Sequence, residues 1–356
     1  MSAREVFILK RELNGNAREV DFEQSGLEMM RALGVNPAGR PVMMKPNVTA
    51  GCPRNSGIVT HPTFIGGLVD YFADDVGLSR DQVFVAECTD PRTTQADRDL
   101  GWARSGYTAM AREKRTTLLD LADYGNIRVT PGKTVHLHNI GISRWAKSDE
   151  VFYINAPKLK THNLSVATLC GKNQQGIMVP VLDRHLCSEA WRITFGRDAK
   201  PGRQWMTPEI HESWQRTIGH MHWDVYLACQ PDFNIVEGIV GRDGNAFYLG
   251  RNFPTGLVVA GYDMPSVDFV AAHLMGFTVE TLVYLRVGVE RNICPSRLDE
   301  IDIYLVKDGN TSRCDDIVPY IADPKFEVYR DIPADYPKKD LFEEYDPKAD
   351  ELKQTA

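Results

Sequence analysis

The residues best suited to chemistry in this chain gather between Lys158 and Asn173. Lys158-Leu-Lys160-Thr-His162 and, ten residues on, Lys172-Asn173 place three lysines and an imidazole within fifteen residues, with no carboxylate among them. The whole chain carries a net charge of -7 and a pI near 5.8, so a local cationic island has an anion as its natural complement. Ammonium groups hold or polarise an oxyanion, and an imidazole gives or takes a proton near neutral pH. The alternative reading of the same run is an edge strand whose lysines guard it against aggregation. A second acid–base candidate is His61, in Val59-Thr60-His61-Pro62, at the start of a helical stretch. Its alternative is a helix-opening residue bonded to a neighbouring loop.

Such residues need a scaffold, and the pattern of the chain predicts an α/β fold with a mainly parallel sheet flanked by helices. Short apolar runs at 6–9, 42–44, 83–86, 151–154, 233–236 and 257–260 alternate with helical periodicity, as at 22–33 and 61–72. Ligands of parallel sheets bind beyond the carboxyl ends of the strands. The runs are followed there by Lys45-Pro46-Asn47, by Glu87-Cys88-Thr89-Asp90, by the Lys158 segment, by Glu237-Gly238 and by Gly261-Tyr-Asp263. Loops are polar anyway, but five polar strand ends together predict one site. Lys45, Asn47, Lys158, Lys160, Asn173, Glu237 and Asp263 are its expected ligand-binding residues, and His61, His162 and Lys172 its catalytic ones. Asp263 with Pro265 also suits a helix N-cap and first turn. Glycines in Thr168-Leu-Cys-Gly171-Lys172-Asn173-Gln-Gln-Gly176 predict a turn where the backbone approaches a ligand, without the spacing of a P-loop. Gly238, Gly241, Gly244 and Gly250 mark a further loop over the same opening.

At 356 residues with 43% hydrophobic and 25% charged side chains, composition is that of a globular chain. A single α/β domain over 1–322 is expected, with two lobes as the alternative. Residues 183–223, rich in Trp and His, read as an inserted helical or irregular segment, and 323–356 as an extended tail. The acidic balance disfavours nucleic-acid and membrane partners, and the four-residue apolar run at the start is too short for an export signal. Seven scattered cysteines contain no Cys-x-x-Cys pair, which fits reduced thiols in a cytoplasm and gives no iron–sulfur ligand set. His136-Leu-His138 and His220-Met-His222 would each share a face on a strand, where a divalent metal is conceivable. Composition leaves homo-oligomerisation open.

Met44-Lys45-Pro46-Asn47, Thr60-His61-Pro62, Ile154-Asn-Ala-Pro-Lys158-Leu-Lys160-Thr-His162, Gly171-Lys172-Asn173, Val236-Glu237-Gly238 and Ala260-Gly-Tyr-Asp263 together resemble the domain-of-unknown-function family 362, over about 40 to 277. Longer members of that family append iron–sulfur modules. This chain has only isolated Cys294 and Cys314 in its C-terminal part, so a redox role is not carried over. The order Thr60-His61, His162, Lys172 is also similar to the lactate racemase family, in which histidines move protons and a lysine tethers a nickel-pincer nucleotide. Thr168-Leu-Cys170-Gly171 replaces the glycines and serine that precede that lysine, so the resemblance implies proton transfer and not the nickel cofactor. The expected function is an enzyme that acts on a small anionic metabolite, such as a hydroxy acid, sugar acid or phosphorylated compound, by isomerisation, epimerisation or elimination. The alternatives are a carrier that binds the anion without chemistry and a redox-linked relative of the iron–sulfur members.

Overall fold

A computed structural model of the chain describes residues 4–13, 15, 17–48, 52–88, 95–180, 183, 185–196, 207–245 and 250–328. Its first half alternates as the apolar runs predict. β1 (Glu5–Lys10) leads to α1 (Glu19–Leu33), β2 (Val42–Pro46), α2 (Pro62–Asp70), β3 (Val83–Glu87), α3 (Gln95–Arg104), α4 (Tyr107–Lys114) and β4 (Thr117–Asp120). A small hairpin, β5 (Asn126–Val129) with β6 (Ile140–Ser143), stands apart as a second sheet. β7 (Phe152–Ala156), β8 (Lys158–His162), β9 (Val166–Thr168) and the short α5 (Cys170–Asn173) follow, then α6 (Leu186–Phe195), α7 (Pro208–Ala228) and the ten-residue β10 (Phe233–Arg242). β11 (Asn252–Phe253), β12 (Leu257–Gly261), α8 (Met264–Leu274), α9 (Val283–Glu290), β13 (Asp302–Lys307) and β14 (Asn310–Arg313) complete the described elements.

The main sheet runs β14-β13-β1-β12-β10-β7-β2-β3-β4. From β10 through β7, β2 and β3 to β4 every pairing is parallel, and β1 is parallel to β13. β12 is antiparallel to both of its neighbours. Strands buried on both faces alternate between two cores, which is why their sequences read as unbroken apolar runs. Val42 and Met44 of β2 pack with Phe22, Met29, Phe64 and Leu68 of α1 and α2, whereas Met43 faces a core shared with Ile177, Ile218 and Met221. Likewise Phe7 and Leu9 join the α1/α2 layer, while Val6 and Ile8 pack with Trp223, Val267, Val270 and Leu285 of α7, α8 and α9.

Pro157 separates β7 from β8, and β10 is long enough to pair in parallel with both, Phe233 meeting Ile154 and Glu237 meeting Lys158. β8 therefore prolongs the sheet past its carboxyl rim, with β9 antiparallel on its other side. Paired on both sides, and with Lys158 and Lys160 almost fully buried, it is not a lysine-guarded edge.

Two expectations need correction here, and a third is made specific. Thr168 to Gly176 is not a glycine turn: it is the end of β9, the helical turn α5 and a 3₁₀ turn over Gln174–Ile177. Gly238 and Gly241 lie within β10, not in a loop over the site, and 246–249 are outside the described residues. The 183–223 segment supplies α6 and most of α7, with Thr207 capping Ile210 N–H and Pro208 in the first turn, and α7 runs on to Ala228 as part of the core. Its residues 184 and 197–206 lie outside the description, as does the tail from 329. The start of that tail is packed, with Phe326 buried against Gly241.

Candidate functional site

Two of the lysines are committed to buried carboxylates. Lys158 Nζ lies 2.6 Å from Glu237 Oε2, and Lys45 Nζ 2.8 Å from Glu87 Oε2. Glu237 also accepts the backbone N–H groups of His61 and Ile239, so both its oxygens are engaged inside the fold. Burial pulls the Lys158 ammonium below its usual range, and the Glu237 carboxylate pushes back. Asn173 completes the Lys45 arrangement: its Oδ1 accepts from Lys45 Nζ at 3.0 Å and its Nδ2 donates to Lys45 O and Asn155 Oδ1. Asn47 donates its backbone N–H to the Thr60 hydroxyl and accepts the Thr60 N–H at its carbonyl. Gly176 is needed because a Cβ there would sit 2.1 Å from Lys45 Cε and 2.2 Å from Glu87 Oε1. A Cβ at Gly171 would collide with the Tyr284 hydroxyl. These glycines make room for the protein's own side chains, not for a ligand, and Lys45, Asn47, Lys158, Asn173 and Glu237 form the frame of the site.

A second group of polar side chains lies farther out along β8. Lys160 is buried, donates weakly to Thr168 Oγ1 at 3.4 Å, and its amine is pulled down to about 7, first by burial and then by Lys172, with Arg242 adding repulsion and Cys52 opposing it. His162 is held well below the ordinary imidazole range by burial, then by Lys172, Lys160, His222 and His211. Groups that act on one another in this way lie near one another, so Lys160, His162 and Lys172 share one locality. His162 Nδ1 accepts from the backbone N–H groups of Leu164 and Ser165, at 3.1 and 3.2 Å. In the neutral ring the proton therefore sits on Nε2. Lys172 is only partly buried and donates to Gln175 Oε1 at 2.8 Å.

The turn that carries Lys172 is fixed from below. Asp268 of α8 is fully buried and accepts the N–H groups of Cys170 and Gly171 at 2.7 and 2.8 Å, together with the Tyr284 hydroxyl. Burial raises its carboxyl to about 6, against the opposing pull of those donors. Sequence reasoning missed Asp268, which reads as one polar residue in an apolar helix. It also read the α7 histidines as His-x-His pairs. On a helix of 3.6 residues per turn, His211, Gln215, Ile218 and His222 share one face, within about 60° of each other. That helical spacing is the signal that finds them.

Other expected residues fall elsewhere. His61 caps α2: its Nδ1 accepts from Thr63 N–H, its Nε2 lies 3.2 Å from Asn55 Oδ1, and its ring stacks on Phe22. Burial and then Lys158 and Arg54 keep it neutral; it belongs to the frame and not to the Lys160–His162 cluster. Asp263 is at the opposite rim. Because β12 is reversed, its last residue Gly261 pairs with Asn234 near the start of β10. Asp263 there caps α8 through Ser266, the role its spacing to Pro265 suggests. His136 and His138 lie in the β5–β6 connection and not on a strand, and His220 and His222 point to different sides of α7, so neither pair chelates as a unit. Among the described residues no group of three or more His, Cys, Asp or Glu side chains is placed to hold a metal ion. Thr89 and Asp90 lie outside the described residues.

The family described as "Domain of unknown function (DUF362)" matches residues 42–273. The chain belongs to the DUF362 family. The match runs from the first residue of β2 to the penultimate residue of α8, so the frame, the Lys160–His162–Lys172 cluster, the α7 face and Asp268 are all parts of the DUF362 stretch. The chain is also 26% identical over 145 residues to the "Thylakoid-associated protein sll1697" of Synechocystis sp.. That alignment covers 41% of this chain and 38% of the relative. No solved structure matches the chain. Among the described residues no helix is long and apolar enough to cross a membrane.

Proposed function

We propose that this DUF362 protein is an enzyme that binds a small carboxylate-bearing metabolite at Lys160, His162 and Lys172 and moves a proton on the carbon beside the carboxylate. The observation that carries the reading is the buried Lys160 amine, drawn to about 7 next to a second ammonium and a neutral imidazole. An amine with that affinity for protons is half deprotonated near neutral pH, which is the condition for a general base. Lys172, on the more open side, holds the carboxylate. Lys160 takes the proton from the adjacent carbon, and the bonding pair moves onto the carboxylate as an enediolate. Lys172 and the Nε2–H of His162 stabilise the oxygen that gains charge. Return of a proton to the other face gives epimerisation; departure of a neighbouring hydroxyl, protonated by the Lys160 ammonium formed in the first step, gives elimination and water.

The sequence resemblance of His162 and Lys172 to the lactate racemase family is in keeping with this reading. His61, with both ring nitrogens engaged by the α2 cap and Asn55, is left outside the proton path. Solvent exchange tests the reading without knowledge of the substrate. Candidate acids are incubated with the protein in D₂O and followed by proton NMR. Wild type is expected to wash deuterium into the position beside the carboxylate of at least one acid, and Lys160→Met to stop this. Acids that bind but never exchange would assign the site to a carrier, and acids that do not bind would reject the reading altogether.

A further inference from the structure

Beside His162, the α7 face and the turn between β8 and β9 carry polar atoms that the fold leaves unused. Gln215 Nε2, His222 Nε2 and Ser165 Oγ are buried and, among the described residues, have no hydrogen-bond partner. Gln215 is 4% exposed, His222 1% and Ser165 4%. A buried donor without a partner is destabilising, and most such groups in folded proteins are satisfied. Here three occur around one place: Ser165 donates its backbone N–H to His162, His222 acts electrostatically on both His162 and Lys172, and Gln215 shares the His222 face two helical turns away.

We infer that these three side chains form a polar subsite beside the carboxylate-binding lysines, and that the metabolite they receive is a polyhydroxylated acid. This inference rests on the anion site proposed above and narrows its substrate class. The character of the groups selects hydroxyls over a second anionic end. A glutamine amide and a serine hydroxyl are neutral, and burial followed by Lys172 holds the His222 imidazole neutral as well. Together they offer donors and acceptors, which suits alcohols, whereas a second carboxylate or phosphate on this side would lose its water without gaining a cation. Simple apolar acids would leave all three unpaired.

Paired acids test the inference by thermal shift and calorimetry on the full chain. Gluconate, galactonate and threonate are compared with hexanoate and butyrate, which lack the hydroxyls. At least one hydroxylated acid is expected to bind about tenfold or more tightly than its deoxy counterpart. Gln215→Leu should erase that preference while the deoxy acids bind as before. Its unliganded Tm should equal or exceed that of wild type, because an unpaired buried amide has been removed. Ser165→Ala gives a second, smaller probe should the leucine fail to fold. Equal binding of hydroxylated and deoxy acids would overturn the subsite and leave the anion site standing. Absence of binding by every acid would overturn the anion site and the subsite with it. A preference unchanged in both variants would place recognition of the hydroxyls elsewhere and so refute the assignment.

Discussion

At the scale of single residues, the chain separates lysines paired with buried carboxylates from the lysine proposed to react. Lys45 and Lys158 face carboxylates, whereas the charged groups acting on Lys160 include Lys172 and Arg242. Removing one member of a buried pair leaves the other charge stranded, so Lys45→Met is expected to lower stability by about 3–5 kcal/mol, measured by urea unfolding. Lys160→Met should have the opposite sign. With a folded-state value near 7 against 10.5 in the unfolded chain, the unfolded chain binds the extra proton between those limits. The destabilisation due to Lys160 is then full below pH 7 and shrinks as the pH rises. Lys160→Met is therefore expected to be more stable than wild type at pH 7, with the gap narrowing by roughly 1 kcal/mol per unit toward pH 9. A gap independent of pH would show that Lys160 titrates normally. The Lys-Leu-Lys-Thr-His motif made these residues visible in the sequence. It did not show which lysines were paired, because Glu87 lies 42 residues from Lys45 and Glu237 lies 79 from Lys158, and such partners meet only through strand order.

At the scale of elements, position follows from strand direction and helix register. The apolar runs located the strands and hence four of the five polar ends. An apolar run does not encode its direction, however, so the reversal of β12 and the removal of Asp263 to the far rim could not be read from it. Helix α5 shows a different limit. The glycines of that helix and of the 3₁₀ turn after it announce close approach, but what approaches is Tyr284 at Gly171 and the Lys45–Glu87 pair at Gly176. Gly176→Ala is expected to disrupt that pair and to lower the melting temperature markedly by circular dichroism, since neither buried neighbour can withdraw. Asp268 anchors the same turn through two backbone N–H groups, and an amide can accept both less well than a carboxylate. Asp268→Asn should keep the fold and weaken acid binding through the displaced Lys172. Unchanged affinity would mean that the turn holds its place without the carboxylate.

Across the whole molecule, one sheet carries both the ion-paired frame and the Lys160–His162–Lys172 cluster because β10 is long enough to pair with β7 and then β8. The prolonged rim brings His162 within electrostatic reach of His211 and His222 of α7, and burial is what chiefly lowers the affinity of Lys160 and His162 for protons. Asp224 ties this layer down: it accepts the N–H groups of Val135, His136 and Leu137 and pairs with Arg291 at 2.8 Å, joining the β5–β6 connection to α7 and α9. The account comes together in the titration of a single amine. NMR observation of the Lys160 side chain in selectively labelled protein, with and without a saturating carboxylic acid, should give a midpoint near 7 in the free protein and a higher one when the anion is bound. A midpoint near 10.5, or one that no acid moves, would contradict it.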